Sequence, residues 1–383
     1  MSVTAARGFR AAGVTAGLKA SGRPDVALVV NDGPTRSAAG TFTANRFAAA
    51  PVLWTRQVMS DGEVHAVVLN SGGANACTGP EGFADTHRTA EHVAALIDTG
   101  AGEVAVCSTG LIGERLPMDR LLAGAAEAVA SLSDDGGDRA AVAIMTTDTV
   151  PKTAVVQGQG FTVGGMAKGA GMLAPGLATM LVVLTTDAVA DSAALDAALR
   201  GATRVTFDRI DSDGCMSTND TVLLLASGAS GVTPSRDELQ AVVTEVCADL
   251  ARQLIGDAEG ASKDIRIDVV HAMTEGDAVE VVRAVSRSNL LKCAIHGEDP
   301  NWGRVLSAVG TTSARFEPDA VSVAINGVWV CRNGGVGEDR TRVDMSGREV
   351  VVSIDLGAGD ASASLWTNDL TADYVHENSA YST

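Results

Sequence analysis

A glycine-rich stretch of the chain ends in a threonine and runs directly into an apolar segment. Residues 164–180 read GGMAKGAGMLAPGLATM and include a lone lysine, Lys168. A threonine hydroxyl is a poor nucleophile at neutral pH and needs a base beside it. If the peptide bond between Ala178 and Thr179 is cut, the freed α-amine of Thr179, with an ordinary pKa of about 7.7–8.0, can act as that base. The stretch therefore has the features of an internally cleaved precursor whose N-terminal threonine is the nucleophile, but a small residue followed by threonine is also a common pair in proteins without such cleavage.

The same stretch contains a second pattern, GAGMLA at 169–174, which fits the G-x-G-x-x-A fingerprint of dinucleotide-binding proteins. That fingerprint needs a helix after the glycines, with the helix N-terminus facing the pyrophosphate. Pro175 and Gly176 would interrupt such a helix at once. We therefore interpret the segment as a glycine-rich loop and expect no nucleotide cofactor.

The charge balance of the chain disfavours two classes of partner. The 383 residues contain 29 Lys and Arg against 47 Asp and Glu, which gives a formal net charge of −18. Nucleic acids and anionic membrane surfaces are bound by basic protein faces. We therefore expect neither nucleic acid nor a membrane as a partner, and we attribute the acidity to solubility.

Cysteines and histidines show no metal-binding spacing. The six cysteines form no C-x-x-C pair and the six histidines form no H-E-x-x-H motif. We therefore expect no bound metal, and we expect the cysteines to be reduced and mostly buried.

The N-terminus has no apolar signal segment, and the sequence has no run of about 18 apolar residues that could span a membrane. These features predict a cytoplasmic protein.

The pattern of apolar residues predicts alternating strands and helices. Hydrophobic residues make up 46% of the chain but aromatic residues only 3%, so a large core must be built from small aliphatic side chains. Strands are predicted over 26–30, 65–70, 104–108, 153–157, 180–185, 221–226, 265–271, 321–325 and 349–354, and helices over 85–98, 117–131, 137–145, 193–204, 236–256, 277–287 and 302–309. This mixture indicates a layered α/β or α+β fold, with a hinge near 259–264 between a large first domain and a smaller second one.

A series of motifs resembles the ornithine acetyltransferase family, also called the ArgJ proteins. The run MAKGAGMLAPGLATMLVVLTTDA at 166–188 resembles the family signature, and further blocks agree in order along nearly the whole chain. These blocks are LNSGGANACTG at 69–79, STGLIG at 108–113, IMTTDT at 144–149, STNDT at 217–221, DAEG at 257–260, DPNWGR at 299–304 and ENSAYST at 377–383.

The resemblance implies a fold and a division of the chain. The fold would be α/β (α+β), a layered sandwich of β-sheets flanked by helices, with the N-terminal-nucleophile architecture of the DmpA and ArgJ families. Residues 1–178 would form the α chain, the N-terminal part of a large catalytic domain. Residues 179–264 would begin the β chain and complete that domain. Residues 265–383 would form a smaller C-terminal α/β domain whose tail returns to the active site.

The resemblance also implies roles for individual residues. Cleavage would fall between Ala178 and Thr179, and Thr179 would be the nucleophile. Thr109 and Gly110 would form the oxyanion hole. The positions that match the family's substrate-binding residues are Thr146, Lys168, Thr179, Glu259, Asn378 and Thr383. Six of these residues also have an ordinary structural interpretation: a strand-ending turn for Thr109 and Gly110, a solvated charge for Lys168 and Glu259, and a frayed terminus for Asn378 and Thr383.

The activity that the resemblance implies is acetyl transfer from N2-acetylornithine to glutamate, by a ping-pong mechanism through an acetyl-Thr179 ester. No cofactor is required, and whether acetyl-CoA also serves as an acetyl donor stays open. The cleaved chains would assemble as an α2β2 heterotetramer. Two alternatives stand beside this hypothesis: an N-terminal-nucleophile amidase or aminopeptidase on the same scaffold, and an uncleaved binding protein without activity.

Overall fold

The computed structural model describes residues 2–174 and 180–380. Ala178, Thr179 and Thr383 lie outside the described residues. The chain divides into two compact units. The first unit contains residues 2–174, 180–208 and 215–257, and the second contains residues 209–214 and 258–380.

The first unit is built from two sheets and the helices that pack on them. Its strands are β1 (Phe9–Val14), β2 (Val26–Asn31), β3 (Ala38–Phe42), β4 (Ala66–Ser71), β5 (Val104–Thr109), β6 (Lys152–Gln157), β7 (Thr162–Lys168), β8 (Leu181–Thr186) and β9 (Thr221–Ala226). Its helices are α1 (Ala50–Val58), α2 (Gly79–Leu96), α3 (Met118–Ala130), α4 (Gly137–Ala143), α5 (Ser192–Val205) and α6 (Arg236–Gly256). One sheet has the order β1-β2-β4-β5 and the other the order β3-β9-β8-β7-β6.

The two sheets share one apolar core. Buried side chains from the four-stranded sheet, such as Leu28 and Val67, belong to the same cluster as Met166, Val183 and Leu223 from the five-stranded sheet. Every residue of β8 and β9 is buried. These two strands pair in parallel, and strands buried on both faces read as continuous apolar runs in the sequence.

Helices α5 and α6 pack against the five-stranded sheet. The serine before α6, Ser235, accepts a hydrogen bond from the Glu238 backbone N–H at 3.2 Å and so caps the helix. Asp237 and Glu238 lie in the first turn, where their negative charge is favourable. Apolar residues at helical spacing, from Leu239 to Leu254, form the buried face.

The strand ends of the first unit set the positions of the predicted site residues. Thr109 is the last residue of β5 and Lys168 the last residue of β7. The Cα atoms of Lys168 and Leu181 are partners in the antiparallel pairing of β7 with β8. The many glycines of this stretch predict a loop that includes Lys168, but the stretch begins as a strand, so that prediction is wrong.

The second unit contains one six-stranded sheet with helices. Its elements are β10 (Asp264–Ala272), α7 (Glu275–Ser286), α8 (Asn289–His296), α9 (Trp302–Val309), β11 (Ser322–Ile325), β12 (Val328–Arg332), β13 (Gly335–Val336), β14 (Glu349–Asp355), β15 (Ala361–Asn368) and α10 (Ala372–Ala380). The sheet order is β13-β12-β11-β14-β10-β15. Its apolar core is separate from that of the first unit and includes Ile267, Val282 and Val352.

The predicted strands and helices are all present, although the helix predicted at 85–98 begins earlier, at Gly79. Elements that were not predicted include β1, β3, β7, β15, α1, α8 and α10. None of the six cysteines, which all lie within residues 2–174 and 180–380, forms a disulfide. Three of them, Cys77, Cys215 and Cys293, are exposed, so the cysteines are less buried than expected. Among the helices of residues 2–174 and 180–380, none combines the length and apolar character needed to cross a bilayer.

Candidate active site

Thr109 and Lys168 meet in the interior of the first unit. The Lys168 Nζ donates a hydrogen bond to the Thr109 Oγ1 at 3.2 Å, and each residue is only 2% exposed. An hydroxyl oxygen that accepts a hydrogen bond can still donate its own hydrogen elsewhere. The contact therefore orients the Thr109 hydroxyl as a donor and keeps a positive charge beside it.

Gly110 follows Thr109 in a conformation that favours glycine, with φ at +131°. A Cβ atom at this position would lie 2.5 Å from the Gly73 backbone nitrogen. The backbone N–H groups of Gly72 and Gly73 both donate to the Thr109 carbonyl at 3.0 Å. The chain after β4 therefore packs directly against the turn after β5, and only glycine fits at position 110.

Polar side chains from three separate motifs hold this turn in place. Asn219 donates through its Nδ2 to the Ala74 carbonyl at 2.6 Å and to the Ser108 carbonyl at 2.8 Å. The Ser108 hydroxyl donates to the Asn70 Oδ1 at 2.6 Å, and the Asn70 Nδ2 donates to the Gly73 carbonyl at 3.0 Å. All of these side chains are buried. The network explains why asparagine and serine occur in motifs far apart in the sequence.

Met180, the first described residue after the glycine-rich stretch, is fixed to the neighbouring strand β9. Its backbone N–H donates to the Asp220 Oδ1 at 3.1 Å, and its carbonyl accepts from the Thr221 N–H at 3.1 Å. Burial raises the pKa of the Asp220 carboxyl well above its ordinary value, against the opposing effects of this hydrogen bond and of the Lys168 charge. Asp220 is therefore harder to ionise than a solvent-exposed aspartate.

Thr146 is joined to the end of β7 through Asp148. The Asp148 Oδ2 accepts from the Thr146 backbone N–H at 2.9 Å, and the Asp148 Oδ1 accepts from the Gly169 N–H at 2.7 Å. Burial acts to raise the pKa of Asp148, but the charges of Lys168 and Lys152 and the Gly169 hydrogen bond outweigh it and lower the pKa to about 2. Asp148 is therefore a carboxylate that links Thr146 to Gly169, the residue after Lys168.

A buried lysine balances the charge of Asp148. Lys152, at the start of β6, is fully buried, and its Nζ lies 2.6 Å from the Asp148 Oδ1 and 2.6 Å from the Asp257 Oδ2. Asp257 also accepts from the Thr149 backbone N–H at 3.0 Å. The two carboxylates compensate the charge of the Lys152 ammonium, which would otherwise be very unfavourable in a buried position. The network fixes the loop that carries Thr146.

Glu259 and Asn378 contact each other within the second unit. The Asn378 Nδ2 donates to the Glu259 Oε2 at 3.0 Å. Gly260, with φ at +61°, is packed so closely on α10 that a Cβ atom there would lie 2.2 Å from the Tyr374 nitrogen. The Thr371 hydroxyl donates to the Gly260 carbonyl at 2.6 Å. The turn that carries Glu259 is therefore built against the C-terminal helix.

Glu259 also lines a cavity of about 280 Å³ in the second unit. Two cationic side chains, Arg287 and Lys292, contribute to the same wall. Arg287 donates to the buried Asp211 carboxylate at 2.7 Å, and Lys292 donates to the Ser212 carbonyl. Burial lowers the pKa of Lys292. The cavity therefore presents both signs of charge.

The predicted site residues fall into two groups. Thr109, Gly110 and Lys168 lie together, and Thr146 is connected to them through Asp148. Glu259 and Asn378 form the second group, within the second unit. The first group can supply hydrogen-bond donors and a buried positive charge to a developing oxyanion.

Comparison with known proteins gives the family of this chain. The model of the ArgJ family matches residues 10–383. The chain belongs to the ArgJ family. The expected resemblance is confirmed.

Named ArgJ proteins match the chain over its full length. The arginine biosynthesis bifunctional protein ArgJ of Streptomyces coelicolor is 72% identical over 382 residues, which is 100% of both chains. The protein of the same name from Thermobifida fusca is 65% identical over 383 residues, again 100% of both.

Solved structures of the family also match. The ornithine acetyltransferase of Mycobacterium tuberculosis, in complex with ornithine, is 62% identical, with 47% of this chain and 96% of that chain covered and a TM-score of 0.45. The ArgJ protein of Bacillus halodurans is 32% identical, with 51% and 97% covered and a TM-score of 0.49.

Sequence reasoning within the ArgJ family motifs missed part of the site. Asp148 lies inside the block at 144–149, yet only Thr146 received a role. Lys152 gave no signal and Asp257 was noted only as the first residue of the block at 257–260, because a lysine and an aspartate 105 residues apart cannot be paired by spacing alone. The one available signal for Asp148 was its position two residues after Thr146 in the same block.

Proposed function

We propose that this chain is a self-cleaving acetyltransferase that moves an acetyl group from N2-acetylornithine to glutamate through an ester on Thr179. The observation that carries the proposal is the buried hydrogen bond from the Lys168 Nζ to the Thr109 Oγ1. It provides an oriented hydroxyl donor and a cation in a dry interior, which is what a tetrahedral acyl-transfer intermediate needs. Membership in the ArgJ family and the names of its relatives support the same reaction.

The first reaction would be cleavage of the chain. The Thr179 Oγ attacks the Ala178 carbonyl carbon, the peptide C–N bond breaks, and the nitrogen takes the hydroxyl proton. Water then hydrolyses the ester, which leaves residues 1–178 and 179–383 as separate chains. The new α-amine of Thr179 is the base for the later steps.

Acetyl transfer would follow in two halves. The Thr179 Oγ attacks the acetyl carbonyl of N2-acetylornithine while its proton passes to the α-amine, and the Thr109 hydroxyl and the Gly110 N–H stabilise the oxyanion. The amide C–N bond then breaks, the proton moves to the leaving nitrogen, and ornithine departs. The neutral α-amine of glutamate attacks the Thr179 ester, and acetylglutamate leaves as the hydroxyl is restored. Each oxyanion donor typically contributes about 2.7–4 kcal/mol.

Glu259 would recognise an ammonium group, such as that of the ornithine side chain. Its carboxylate is half-buried and accepts from Asn378, which fixes one of its oxygens. We assign Thr383, outside the described residues, to the same group of substrate-binding positions. If Glu259→Gln used acetylornithine normally, this role would be excluded.

The wider assignments belong to the same proposal. The cleaved chains would assemble as an α2β2 heterotetramer in the cytoplasm and use no cofactor. Since the relatives are named bifunctional, we also assign this chain a second acetyl transfer, from acetyl-CoA to glutamate. Formation of acetylglutamate from acetyl-CoA in the absence of acetylornithine would demonstrate it.

Mass spectrometry of the intact protein tests the central claim. The purified wild type should give two fragments, divided before Thr179, and the second fragment should gain the mass of one acetyl group after acetylornithine is added. Adding glutamate should remove that mass and produce acetylglutamate.

Two variants serve as controls for the nucleophile. Thr179→Ala should stay a single chain, while Thr179→Ser keeps a hydroxyl and should still be cleaved. Release of acetate without acetylglutamate would instead identify a hydrolase. A wild-type chain that stays intact and gains no acetyl group would refute the proposal.

A further inference from the structure

A second lysine reaches the first group of site residues from the loop between β1 and β2. This residue is Lys19, which has no role in the reaction as described so far. Its side-chain Nζ donates to the Met145 carbonyl at 2.7 Å. Met145 directly precedes Thr146, so the Lys19 ammonium lies beside a predicted substrate-binding position.

The backbone of Lys19 is fixed by a buried carboxylate. Asp25 is fully buried and accepts from the N–H groups of Ala16 at 2.6 Å, Leu18 at 2.5 Å and Lys19 at 3.1 Å. Three hydrogen bonds to one carboxylate hold the loop in a single conformation. The position of the Lys19 side chain is therefore determined by the fold.

The same loop packs against the turn that carries Thr109. A Cβ atom at Gly72 would lie 3.1 Å from the Leu18 carbonyl carbon, and the Gly72 N–H donates to the Thr109 carbonyl at 3.0 Å. The residue before Lys19 thus packs on the segment that binds Thr109, and the Lys19 side chain bonds to the residue before Thr146.

The charges around Lys19 are mixed. Asp25 and Arg23 belong to its own loop, while Asp148 and Lys168 face it from the neighbouring elements. Burial lowers the pKa of Lys19 to about 8; the two carboxylates oppose this shift, and the two cations add to it. The oxygens of Asp148 already bind Lys152, Thr146 and Gly169. An arriving carboxylate would therefore be attracted by the Lys19 ammonium.

We propose that Lys19 is a substrate-binding residue whose ammonium donates to a carboxylate of the amino-acid substrate. Its bond to Met145 uses one of three N–H donors, which leaves others for a ligand. Its side chain is half-buried, so it is open to solvent on one side and reachable by a small molecule. This assignment rests on the proposed function for the identity of the substrates.

Two carboxylates could be the partner of Lys19. The α-carboxylate is present in both ornithine and glutamate, whereas the γ-carboxylate is present in glutamate alone. In the first case Lys19 would bind both amino-acid substrates, acetylornithine and glutamate. In the second case it would be the residue that selects the acceptor.

Calorimetric titration of the purified protein tests the assignment without requiring acetyl transfer. Binding of glutamate should be roughly 10- to 100-fold weaker in Lys19→Met than in the wild type, the range for loss of a charged hydrogen bond. Lys19→Arg should restore much of the affinity. Arg23→Met, which removes an exposed cation from the same loop, should bind as the wild type does.

Ligand analogues identify which carboxylate is bound. If the α-carboxylate is the partner, Lys19→Met should weaken ornithine and glutamine as much as glutamate. If the γ-carboxylate is the partner, only glutamate should weaken, and the preference for glutamate over glutamine should disappear. Glutamate binding to the wild type should also weaken as the pH rises through about 8, where Lys19 loses its proton.

Other results would overturn the assignment. The assignment would be wrong if the wild type and Lys19→Met bound all of these ligands with equal affinity. It would also be wrong if the wild type bound none of them. A variant that loses only thermal stability would show that Lys19 merely fastens its loop. Altered binding in a protein that forms no acetyl-enzyme would leave the Lys19 assignment standing and reject the proposed reaction instead.

Discussion

The two groups of site residues differ in how their charges are held. In the first unit, Asp148 and Lys152 are fully buried at their side chains and are paired with further buried groups. In the second unit, Asn378 is exposed and Glu259 half-buried, and a single hydrogen bond joins them. The first group must therefore form correctly when the protein folds, because an unpaired charge there would be very unfavourable. The second group can change its partner at little cost, since water can replace either side chain.

Removing the buried cation of the first unit, Lys152, should have the largest effect, and it is the strongest test of this difference between the two units. Lys152→Met leaves two buried carboxylates without their shared ammonium, so the free energy of unfolding should fall by about 3–5 kcal/mol. Urea denaturation measures the loss. Arg200→Met, which breaks an exposed pair with Asp196, is the matched control and should have a far smaller effect. Equal losses in the two variants would show that the buried network is not special.

A substitution in the turn after β5, which carries Thr109 and Gly110, should have the next largest effect. Gly110→Ala forces a Cβ atom against the Gly73 nitrogen, so the turn must shift and kcat should fall by about 100- to 1,000-fold. Gly113→Ala is the control, because Gly113 also has a positive φ, +88°, but its Cβ would meet open space. Steady-state kinetics on acetylornithine and glutamate distinguishes them. If both variants lost activity equally, backbone strain alone would explain the result.

Acid pH should weaken the first group through Asp148. Its pKa is lower in the folded protein, about 2, than its ordinary value. The stability it contributes is therefore present above the ordinary value and lost as the pH falls towards 2, a change of about 2 kcal/mol. Unfolding free energies measured between about pH 5 and pH 2 should fall less steeply in Asp148→Asn than in the wild type. Parallel curves would contradict the lowered pKa.

The smallest effect is expected in the second unit. Asn378→Ala removes one exposed hydrogen bond, so the unfolding free energy should be unchanged within error. The KM for acetylornithine should rise by roughly 2- to 10-fold, because Glu259 loses the group that orients it. Kinetics and denaturation on the same preparation check both expectations. A large loss of stability would mean that this contact resembles the buried network after all.

Local patterns predicted much of the fold, and the exceptions have a physical reason. The helix at 236–256 was found with its ends, since its buried face and its capping serine are both local features. Strand β7 was missed because Gly164 and Gly165 argue against a strand. In the structure a Cβ at Gly164 would lie 2.2 Å from the Ser2 carbonyl oxygen, and one at Gly165 would lie 2.6 Å from Leu184. Packing, not backbone preference, requires glycine at both positions.

The residues of the candidate site that lie in sequence motifs were predicted. The contacts that join residues far apart in the sequence were missed. Thr109 and Gly110 lie at the end of a strand that the sequence indicates clearly. The contact of Glu259 with Asn378 joins residues 119 positions apart, and the contact of Lys19 with Met145 joins residues 126 apart. Such pairs depend on how loops and helices far apart in the sequence pack together, and no spacing within one sequence encodes that.

The attachment of Met180 to β9 bears on what a cut in the backbone would do. Its N–H and carbonyl are both bound, to Asp220 and Thr221, and neither bond involves any residue before it. If the chain were cut before residue 179, both of these bonds of Met180 would therefore remain, one residue after the new terminus. The chain from residue 180 onward would therefore gain little conformational entropy from such a cut.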